Sequence, residues 1–412
     1  MRAHHVVSIV WVLAVGGCAV RPPAGAPTPR VRPGIEVLLS DSAHLIAGRR
    51  LGLLTNHTGI DRQGRRDADL LRTAHGGRLT VLFSPEHGFR GTEDRPGLPD
   101  GVDSATGLPI YSLYGGSRSG ARAALDSVDV LLVDLQDIGA RYYTYIATAT
   151  SLMRDAARAG TRVIVLDRPN PVGGSAVQGN VRPDAGDPDS VFVGFLPVAM
   201  RHGMTLGELA LMANDVLALG ADLIVVPAAG WNRDWLYDQT GLPWVRPSPN
   251  MPDLESALHY PGLCLFEGTN LSVGRGTPVA FQLLGAPWMD AEAVVRRVRG
   301  AAMAGVEVEP VAFTPRQPTD GKYDGEALRG LRLRVTDRRA YDPTRLAVAL
   351  LAAIRATHPR EFEFRPATFD RLAAGPELRQ AVAAGRPARE IWDGWQQDLA
   401  RFRVGRAKYL LY

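Results

Sequence analysis

The chain has little cysteine, few aromatic residues and no block of charge of one sign. Only two of its 412 residues are cysteine, and 7% are aromatic. Lysine and arginine (47 residues) nearly balance aspartate and glutamate (43 residues), and no basic run carries interleaved aromatic residues. The sequence therefore excludes a disulfide-stabilised scaffold and does not predict a nucleic-acid-binding protein.

Motifs that identify several common enzyme classes are also missing. No Gly-x-Gly-x-x-Gly follows the first predicted strand, and the glycines of segment 268–277 fit neither that motif nor a phosphate-binding loop. The sequence has no Gly-x-Ser-x-Gly elbow and no HxH, HExxH or CxxC spacing. We therefore do not expect a dehydrogenase, a kinase or a serine esterase, and we predict no cofactor and no metal.

The N-terminus carries the pattern of an export signal. A basic start precedes an apolar run over 6–15 that is too short to span a bilayer, and the run ends in Val15-Gly16-Gly17-Cys18. This pattern predicts a lipoprotein signal peptide over 1–17 and a lipid on Cys18, which would anchor the protein to a membrane on its periplasmic side. An ordinary secretory signal with an incidental cysteine is the alternative.

The remaining chain predicts two domains behind a tether, because it is long for a single core. Residues 18–34 are rich in proline, which disfavours both helix and central strand. We predict a Rossmann-like catalytic domain over 35–260 and a smaller α+β domain over 261–412 that contributes to the cleft.

Short apolar runs alternate with helical patterns through the first domain. Runs rich in valine, leucine and isoleucine are typical of strands buried on both faces of a parallel sheet, and they occupy 51–55, 79–83, 128–133, 162–166 and 223–226. Helices are predicted over 66–75, 118–126, 143–159 and 204–219, the last opened by a capping box from Thr205 to Glu208. This order predicts an α/β fold with a doubly wound, mostly parallel sheet.

A long segment over 229–262, with three tryptophans and a proline-rich run, separates the two domains. Loops of that length are usually functional or connect domains. Beyond it we predict strands over 262–267, 278–284, 305–311 and 331–336, and helices over 290–303, 343–357 and 388–402.

Polar residues follow four successive predicted strands. They are Asn56 and His57 after the first strand, Glu86 and His87 after the second, Asp134, Asp137, Arg141 and Tyr143 after the third, and Asp167 and Asn170 after the fourth. Ligands of open parallel sheets bind outside the carboxyl ends of the strands. The sequence therefore predicts a catalytic cleft at this edge.

Each of these residues also has a structural explanation. Asn56, Asp134 and Asp167 could cap helices or satisfy loop backbone, and the two histidines could be core residues. Glu86 is harder to explain in this way, because glutamate is a poor N-cap and here it stands between proline and histidine. A metal-dependent hydrolase built on His57, His87 and Asp134 is a weaker hypothesis, since no metal-binding spacing is present.

Carboxylates without metal or nucleotide motifs favour glycoside cleavage. In that reaction one carboxylic acid protonates the leaving oxygen, while a second group stabilises or attacks the oxocarbenium-like centre. Glu86 is our first choice for the acid, with His87 beside it in the predicted catalytic group.

Six motifs resemble those of the exo-β-N-acetylmuramidases of bacterial cell-wall recycling, a family long catalogued as a domain of unknown function. The similarity runs from about residue 36 to the C-terminus. The motifs are Leu54-Thr55-Asn56-His57-Thr58-Gly59, Pro85-Glu86-His87-Gly88, Pro109-Ile110-Tyr111-Ser112-Leu113-Tyr114-Gly115, the segment 134–145, Asp167-Arg168-Pro169-Asn170-Pro171 and Phe266-Glu267-Gly268-Thr269-Asn270.

This resemblance implies an enzyme that removes N-acetylmuramic acid from the non-reducing ends of peptidoglycan fragments. It implies Glu86 as a catalytic residue and leaves the second group open among Asp134, Asp137, Glu267 and the N-acetyl group of the substrate. The lactyl carboxylate of muramic acid calls for a fork-shaped donor, for which Arg141, Arg201 and Arg275 are candidates. The other predicted substrate-binding residues are Asn56, His57, Tyr143, Asp167, Asn170, Glu267 and Asn270.

A rival hypothesis from another class is a cell-wall-binding lipoprotein that holds muropeptides in the same cleft without turnover. Replacing Glu86 by glutamine separates the two, because an enzyme would lose its activity while a binding protein would be little affected.

Overall fold

A computed structural model of the chain describes residues 31–74, 76–95, 97–299 and 303–412. The predicted signal peptide and Cys18 lie outside the described residues. No helix in these ranges is long and apolar enough to cross a membrane. Residues 31–34, which we assigned to the tether, contact the first domain: Arg32 forms a β-bridge with Ala229, and the first helix begins at Gly34.

The first domain contains a seven-stranded sheet within the described residues. Its strands are β1 (Arg50–Thr55), β2 (Arg78–Ser84), β3 (Gly101–Val102), β4 (Pro109–Ser112), β5 (Val130–Asp134), β6 (Arg162–Leu166) and β9 (Leu223–Val226). A separate antiparallel pair consists of β7 (Gln178–Val181) and β8 (Ala199–Arg201). The sheet order is β3-β4-β2-β1-β5-β6-β9, and every pairing is parallel except that of β3 with β4. The predicted doubly wound, mostly parallel sheet is confirmed.

Helices alternate with these strands. They are α1 (Gly34–Asp41), α2 (Asp67–Thr73), α3 (Arg118–Leu125), α4 (Tyr145–Ala159), α5 (Leu206–Val216) and α6 (Leu254–Leu263). The predicted capping box is confirmed, because the Thr205 side chain accepts from Glu208 N while the Glu208 side chain accepts from Thr205 N. Every residue of β5 is buried, as expected of a strand covered on both faces.

The C-terminal region has an antiparallel sheet of its own. Its strands β10 (Leu283–Ala286), β12 (Leu328–Val335) and β11 (Val306–Phe313) lie in that order, and its helices are α7 (Ala291–Arg299), α8 (Pro343–Thr357), α9 (Pro366–Ala373), α10 (Glu377–Ala383), α11 (Ala388–Asp393) and α12 (Gln396–Arg406). One cluster of buried apolar side chains runs from α4 in the first domain to α8 in the second. The two regions therefore share a continuous core.

Three predictions for this region were wrong in detail. The segment 262–267 is not a strand but the end of α6 followed by a 3₁₀ turn, Cys264–Gly268. A short apolar run buried on all sides has no periodicity that separates strand from helix, and Asp253, which caps α6 by accepting from Ser256 N, was the overlooked signal. The strand predicted over 278–284 begins only at Leu283, and the helix predicted over 388–402 is two helices separated by Gly394 and Trp395.

Candidate active site

A cavity of about 180 Å³ lies where loops of the first domain meet the C-terminal region. The first domain contributes Glu86, His87, Asp94, Tyr142, Tyr143, Thr144 and Val193; the C-terminal side contributes Tyr260, Cys264, Glu267, Arg275 and Phe281, together with Thr368, Arg371 and Leu372 of α9. Ser248 and Met251, from the long segment between β9 and α6, complete the lining. Five predicted site residues meet here: Glu86, His87, Tyr143, Glu267 and Arg275.

A larger cavity of about 540 Å³ lies between α5 and α12. None of the predicted site residues lines it, and most of its polar lining comes from arginine and lysine side chains. We therefore identify the candidate active site by its chemistry, which places it in the smaller cavity.

Glu86 follows β2 and is partly exposed to this cavity. The hydroxyl of Thr144, at the start of α4, donates a hydrogen bond of 2.5 Å to Glu86 Oε2. The Tyr114 hydroxyl lies near the same carboxylate, and burial together with the charge of Glu86 raises the pKa of Tyr114 to about 12. Two hydroxyl groups therefore lie at the Glu86 carboxylate.

A tight turn after β2 presents Glu86 to the cavity. His87 has a φ of +69° and Gly88 a φ of +73°, and the left-handed conformation is uncommon for a residue other than glycine. His87 Nδ1 lies 2.7 Å from the carbonyl oxygen of Glu93, so this nitrogen carries the proton and donates it. The same nitrogen lies 3.6 Å from Asp94 Oδ1. His87 therefore joins the turn to the loop that carries Asp94.

Arg275 links carboxylates from both domains. Its Nε donates to Glu267 Oε1 at 2.6 Å, and its Nη1 lies 3.5 Å from Asp94 Oδ2. Asn250 Nδ2 also donates to Asp94 Oδ2, at 2.7 Å. Burial lowers the pKa of Arg275, but the two carboxylates outweigh it, so the net direction is upward and the guanidinium stays charged.

Asp134 is buried and does not line the cavity. It forms an ion pair with Arg168, whose Nη2 donates to Asp134 Oδ2 at 3.0 Å. Asp67 lies 3.9 Å from the same guanidinium, and burial and then Asp134 raise the pKa of Asp67 well above its usual range. Two carboxylates and one guanidinium thus form a sealed cluster.

Asp137 and Asp167 are also buried. Asp137 accepts from Gly139 N at 2.7 Å, and burial raises its pKa to about 7. Asp167 accepts from the hydroxyl of Thr205 at 2.6 Å and from that of Tyr412 at 2.7 Å, and burial raises its pKa to about 6. Neither lines the cavity, and both hold the loops around them.

The remaining polar residues of the predicted site also bind protein groups. Asn56 Nδ2 donates to the Tyr145 hydroxyl at 2.8 Å, and Asn170 Nδ2 donates to the Met204 carbonyl at 2.9 Å. His57 Nε2 lies 2.6 Å from the Arg246 carbonyl, in a separate cavity of about 90 Å³. These contacts fasten loops to one another.

Two of the three candidate arginines are likewise engaged away from the cavity. Buried Arg201 donates to the Gln178 side chain at 3.0 Å, and buried Arg141 donates to the carbonyl oxygens of Asn180 at 2.8 Å and Leu372 at 2.9 Å. Asn270 bonds the backbone of Glu361 and Glu363. Arg141 and Asn270 thus secure α9 and the segment that leads to it.

Family models match almost the whole described chain. The N-terminal model described as "Exo-beta-N-acetylmuramidase NamZ" matches residues 51–255, and the corresponding C-terminal model matches 258–412. The chain belongs to the exo-β-N-acetylmuramidase family. It is therefore a glycosidase, and the family and enzyme class predicted from the motifs are confirmed.

Relatives of known name and structure agree with this membership. The peptidoglycan β-N-acetylmuramidase NamZ of Bacillus subtilis (strain 168) is 38% identical over 391 residues, which cover 94% of this chain and 92% of the relative. Two crystal structures of DUF1343 family proteins from Bacteroides fragilis NCTC 9343 match with TM-scores of 0.85 and 0.73, at 34% and 32% identity. The two matches cover 94% and 93% of this chain, and 100% and 99% of the respective Bacteroides fragilis chains.

Sequence reasoning missed several residues that line this exo-β-N-acetylmuramidase cavity or contact its lining. Thr144 and Tyr114 lie inside motifs on which the resemblance rests, and Asn250 lies in the proline-rich run of the long loop. The sequence therefore contained a reason to consider each of them as a site residue. Asp94 and Arg371 had none, because nothing in one sequence shows which loop and which helix close the cavity.

A metal site built on His57, His87 and Asp134 is not assembled in this family member. His57 Nε2 contacts a backbone carbonyl, and Asp134 is paired with Arg168. Across the part of the chain that the structure describes, no three histidine, cysteine, aspartate or glutamate side chains are grouped so that they could hold a metal ion.

Proposed function

We propose that this glycosidase releases N-acetylmuramic acid from the non-reducing ends of peptidoglycan fragments, with Glu86 as the acid. The observation that carries the proposal is the position of Glu86, a partly exposed carboxylate in the cavity that both family domains line. The name of the Bacillus subtilis relative supports peptidoglycan as the substrate.

Glu86 in its protonated form would donate to the glycosidic oxygen as the bond breaks. Because Thr144 donates to Oε2, we assign the transfer to Oε1. The Tyr114 hydroxyl, close to the same group, can donate to the carboxylate that forms when the proton leaves. The two hydroxyls therefore orient the acid before the transfer and stabilise its charge afterwards.

Glu267 is the second group that the geometry supports best. Of the protein candidates Asp134, Asp137 and Glu267, it alone lines the cavity. It forms an ion pair with Arg275, and Asp94 adds a second acidic side chain to the same wall. These charges would stabilise the oxocarbenium-like centre, either directly or by orienting the N-acetyl group of the substrate as nucleophile.

The size of the cavity supports exo action. About 180 Å³ is below the volume of a typical pocket for a drug-sized ligand, roughly 300 Å³ or more. Such a space accommodates one terminal sugar ring rather than the interior of a glycan strand.

The cellular location of the enzyme is also part of the proposal. A lipid on Cys18 would place the catalytic domains on the periplasmic side of a membrane, where peptidoglycan lies. Mass spectrometry of the N-terminal peptide from cells tests this, since lipidation predicts a diacylglyceryl mass on Cys18. Recovery of an unmodified cysteine, or of a mature protein that begins elsewhere, would contradict the anchor.

Two chromogenic substrates test the activity. The purified protein should cleave a β-N-acetylmuraminide and leave the corresponding β-N-acetylglucosaminide largely intact. Peptidoglycan fragments with N-acetylmuramic acid at the non-reducing end should release that sugar, and fragments that end in N-acetylglucosamine should not. Cleavage of the glucosaminide alone would contradict the proposal.

A further inference from the structure

Helix α9 presents one face to the catalytic cavity. Thr368, Arg371 and Leu372 all line the cavity, and their spacing of three and four residues places them on the same side of the helix. Arg371 is exposed, and Thr368 is partly so. This face therefore brings one guanidinium and one hydroxyl to the cavity from the C-terminal domain.

Arg371 differs from the other cavity arginine in its partners. Arg275 is held by Glu267 at 2.6 Å and by Asp94 at 3.5 Å. Among the described residues, no carboxylate lies within 4.0 Å of the Arg371 guanidinium, and the neighbouring Asp370 is paired with Arg379 instead. Arg371 thus offers a positive charge that the protein itself does not neutralise.

The position of α9 is fixed from both domains. Arg141 donates to the Leu372 carbonyl at 2.9 Å, and Asn180 Nδ2 donates to the Ala373 carbonyl at 2.6 Å. On the other side, a Cβ at Gly268 would lie 2.5 Å from Phe369 Cα, so only glycine there lets α9 pack on the 3₁₀ turn that carries Glu267. Arg371 is therefore held on a rigid helix beside the proposed catalytic wall.

We propose that Arg371 determines specificity by binding the lactyl carboxylate of the terminal muramic acid, with the Thr368 hydroxyl as a second donor. This inference rests on the proposed function. The lactyl ether is what distinguishes muramic acid from glucosamine, and its carboxylate matches the two parallel N–H groups of a guanidinium. Arg141 is then a positioning residue, because it acts on the substrate only through α9.

The test compares two substrates on two enzymes. The substrates are a chromogenic β-N-acetylmuraminide and its lactyl methyl ester, which removes the negative charge and adds one methyl group. The wild-type protein should have a KM for the acid that is roughly 10- to 100-fold lower than its KM for the ester. This factor corresponds to the usual contribution of a hydrogen-bonded charge pair to the binding free energy. In Arg371→Ala the KM for the acid should rise by about that factor, while the KM for the ester should barely change.

Two further variants make the result specific. Arg371→Lys should recover part of the preference for the acid, since it restores the charge but not the fork. Arg389→Ala, which removes an arginine with 85% side-chain exposure on α11, should leave both KM values unchanged. Thermal melting of each variant checks that the fold is intact.

The possible outcomes separate this inference from the proposed function. If the wild-type protein cleaves the muraminide and Arg371→Ala keeps the full preference for the acid over the ester, the assignment of Arg371 is wrong while the proposed function stands. Equal cleavage of acid and ester by the wild type also overturns the assignment. If the wild-type protein cleaves neither muraminide, the proposed function fails, and this inference fails with it.

Discussion

The loops after β2, β5 and β6 all carry acidic side chains at the same edge of the sheet, but these side chains differ in burial. Glu86, after β2, is partly exposed to the cavity. Asp134, Asp137 and Asp167, at the ends of β5 and β6, are at most 4% exposed. Glu86 faces the space for a ligand, and the three aspartates are buried and do not line it.

The difference follows from what each carboxylate contacts. The buried aspartates bind a guanidinium, backbone amides and hydroxyls of neighbouring loops, so their hydrogen bonds stabilise the loops that form the rim. Among the described residues, the hydrogen-bonding partners found for the Glu86 carboxylate are hydroxyl groups, and Glu86 keeps access to the cavity. Polar residues after parallel strands can thus be supports or reacting groups, and the sequence pattern alone does not separate the two.

Glu86→Gln should give the largest effect and should act on the rate alone. Loss of a general acid lowers kcat by roughly 100- to 10,000-fold. The amide fits the same space, so the melting temperature and the binding of substrate should barely change. Glu93→Gln, a change at an exposed glutamate of the same loop, is the matched control. Full activity of Glu86→Gln would remove Glu86 from the chemistry.

Asp134→Ala should act mainly on stability. It leaves the Arg168 guanidinium buried beside Asp67, and breaking a buried ion pair costs about 3–5 kcal/mol. The control is Asp129→Ala just before the same strand, where the pair with Arg50 is exposed to solvent and should contribute little to stability. Urea unfolding measures both. Equal losses of unfolding free energy in the two variants would show that the buried cluster does not stabilise the fold.

Asp137→Asn should change how stability depends on pH. Burial raises the pKa of Asp137 to about 7 in the folded protein, above an unfolded value of about 3.9. The folded state therefore favours the protonated acid, and this contribution to the unfolding free energy is lost as the pH rises through that interval. Asparagine keeps the oxygen that accepts from Gly139 N but does not titrate.

The measurement is the unfolding free energy at about pH 5 and about pH 8, on either side of most of the titration. The wild-type protein should lose more stability between the two values than Asp137→Asn does. An identical loss would mean that Asp137 does not titrate in this range.

Thr144→Val should give the smallest effect. It removes the hydrogen bond to Glu86 Oε2, and a bond to a charged group is worth roughly tenfold in rate. Thr148→Val, one turn further along α4, is the control, because the Thr148 hydroxyl is buried without a hydrogen-bond partner among the described residues. kcat/KM measures both variants. If the two changes cost the same, Thr144 contributes nothing specific to the acid.

Much of the first domain could be predicted from the sequence because parallel strands buried on both faces leave continuous apolar runs. The runs at 51–55, 79–83, 162–166 and 223–226 coincide closely with β1, β2, β6 and β9. The same logic failed at 262–267, where an apolar run of that length is buried in a helix end and a 3₁₀ turn. Continuous hydrophobicity reports burial and leaves the backbone conformation open.

The site was only partly predictable for a different reason. The apolar runs and the motifs were enough to predict the sheet and the family from the sequence alone. Glu86 could be chosen as the first candidate acid because glutamate between proline and histidine at a strand end has no evident structural role. Burial is a property of the packed chain, however, and it was the tertiary structure that separated Glu86 from Asp134, Asp137 and Asp167. Contact between distant segments likewise decided that Arg141 would hold α9 and that Arg371 would line the cavity.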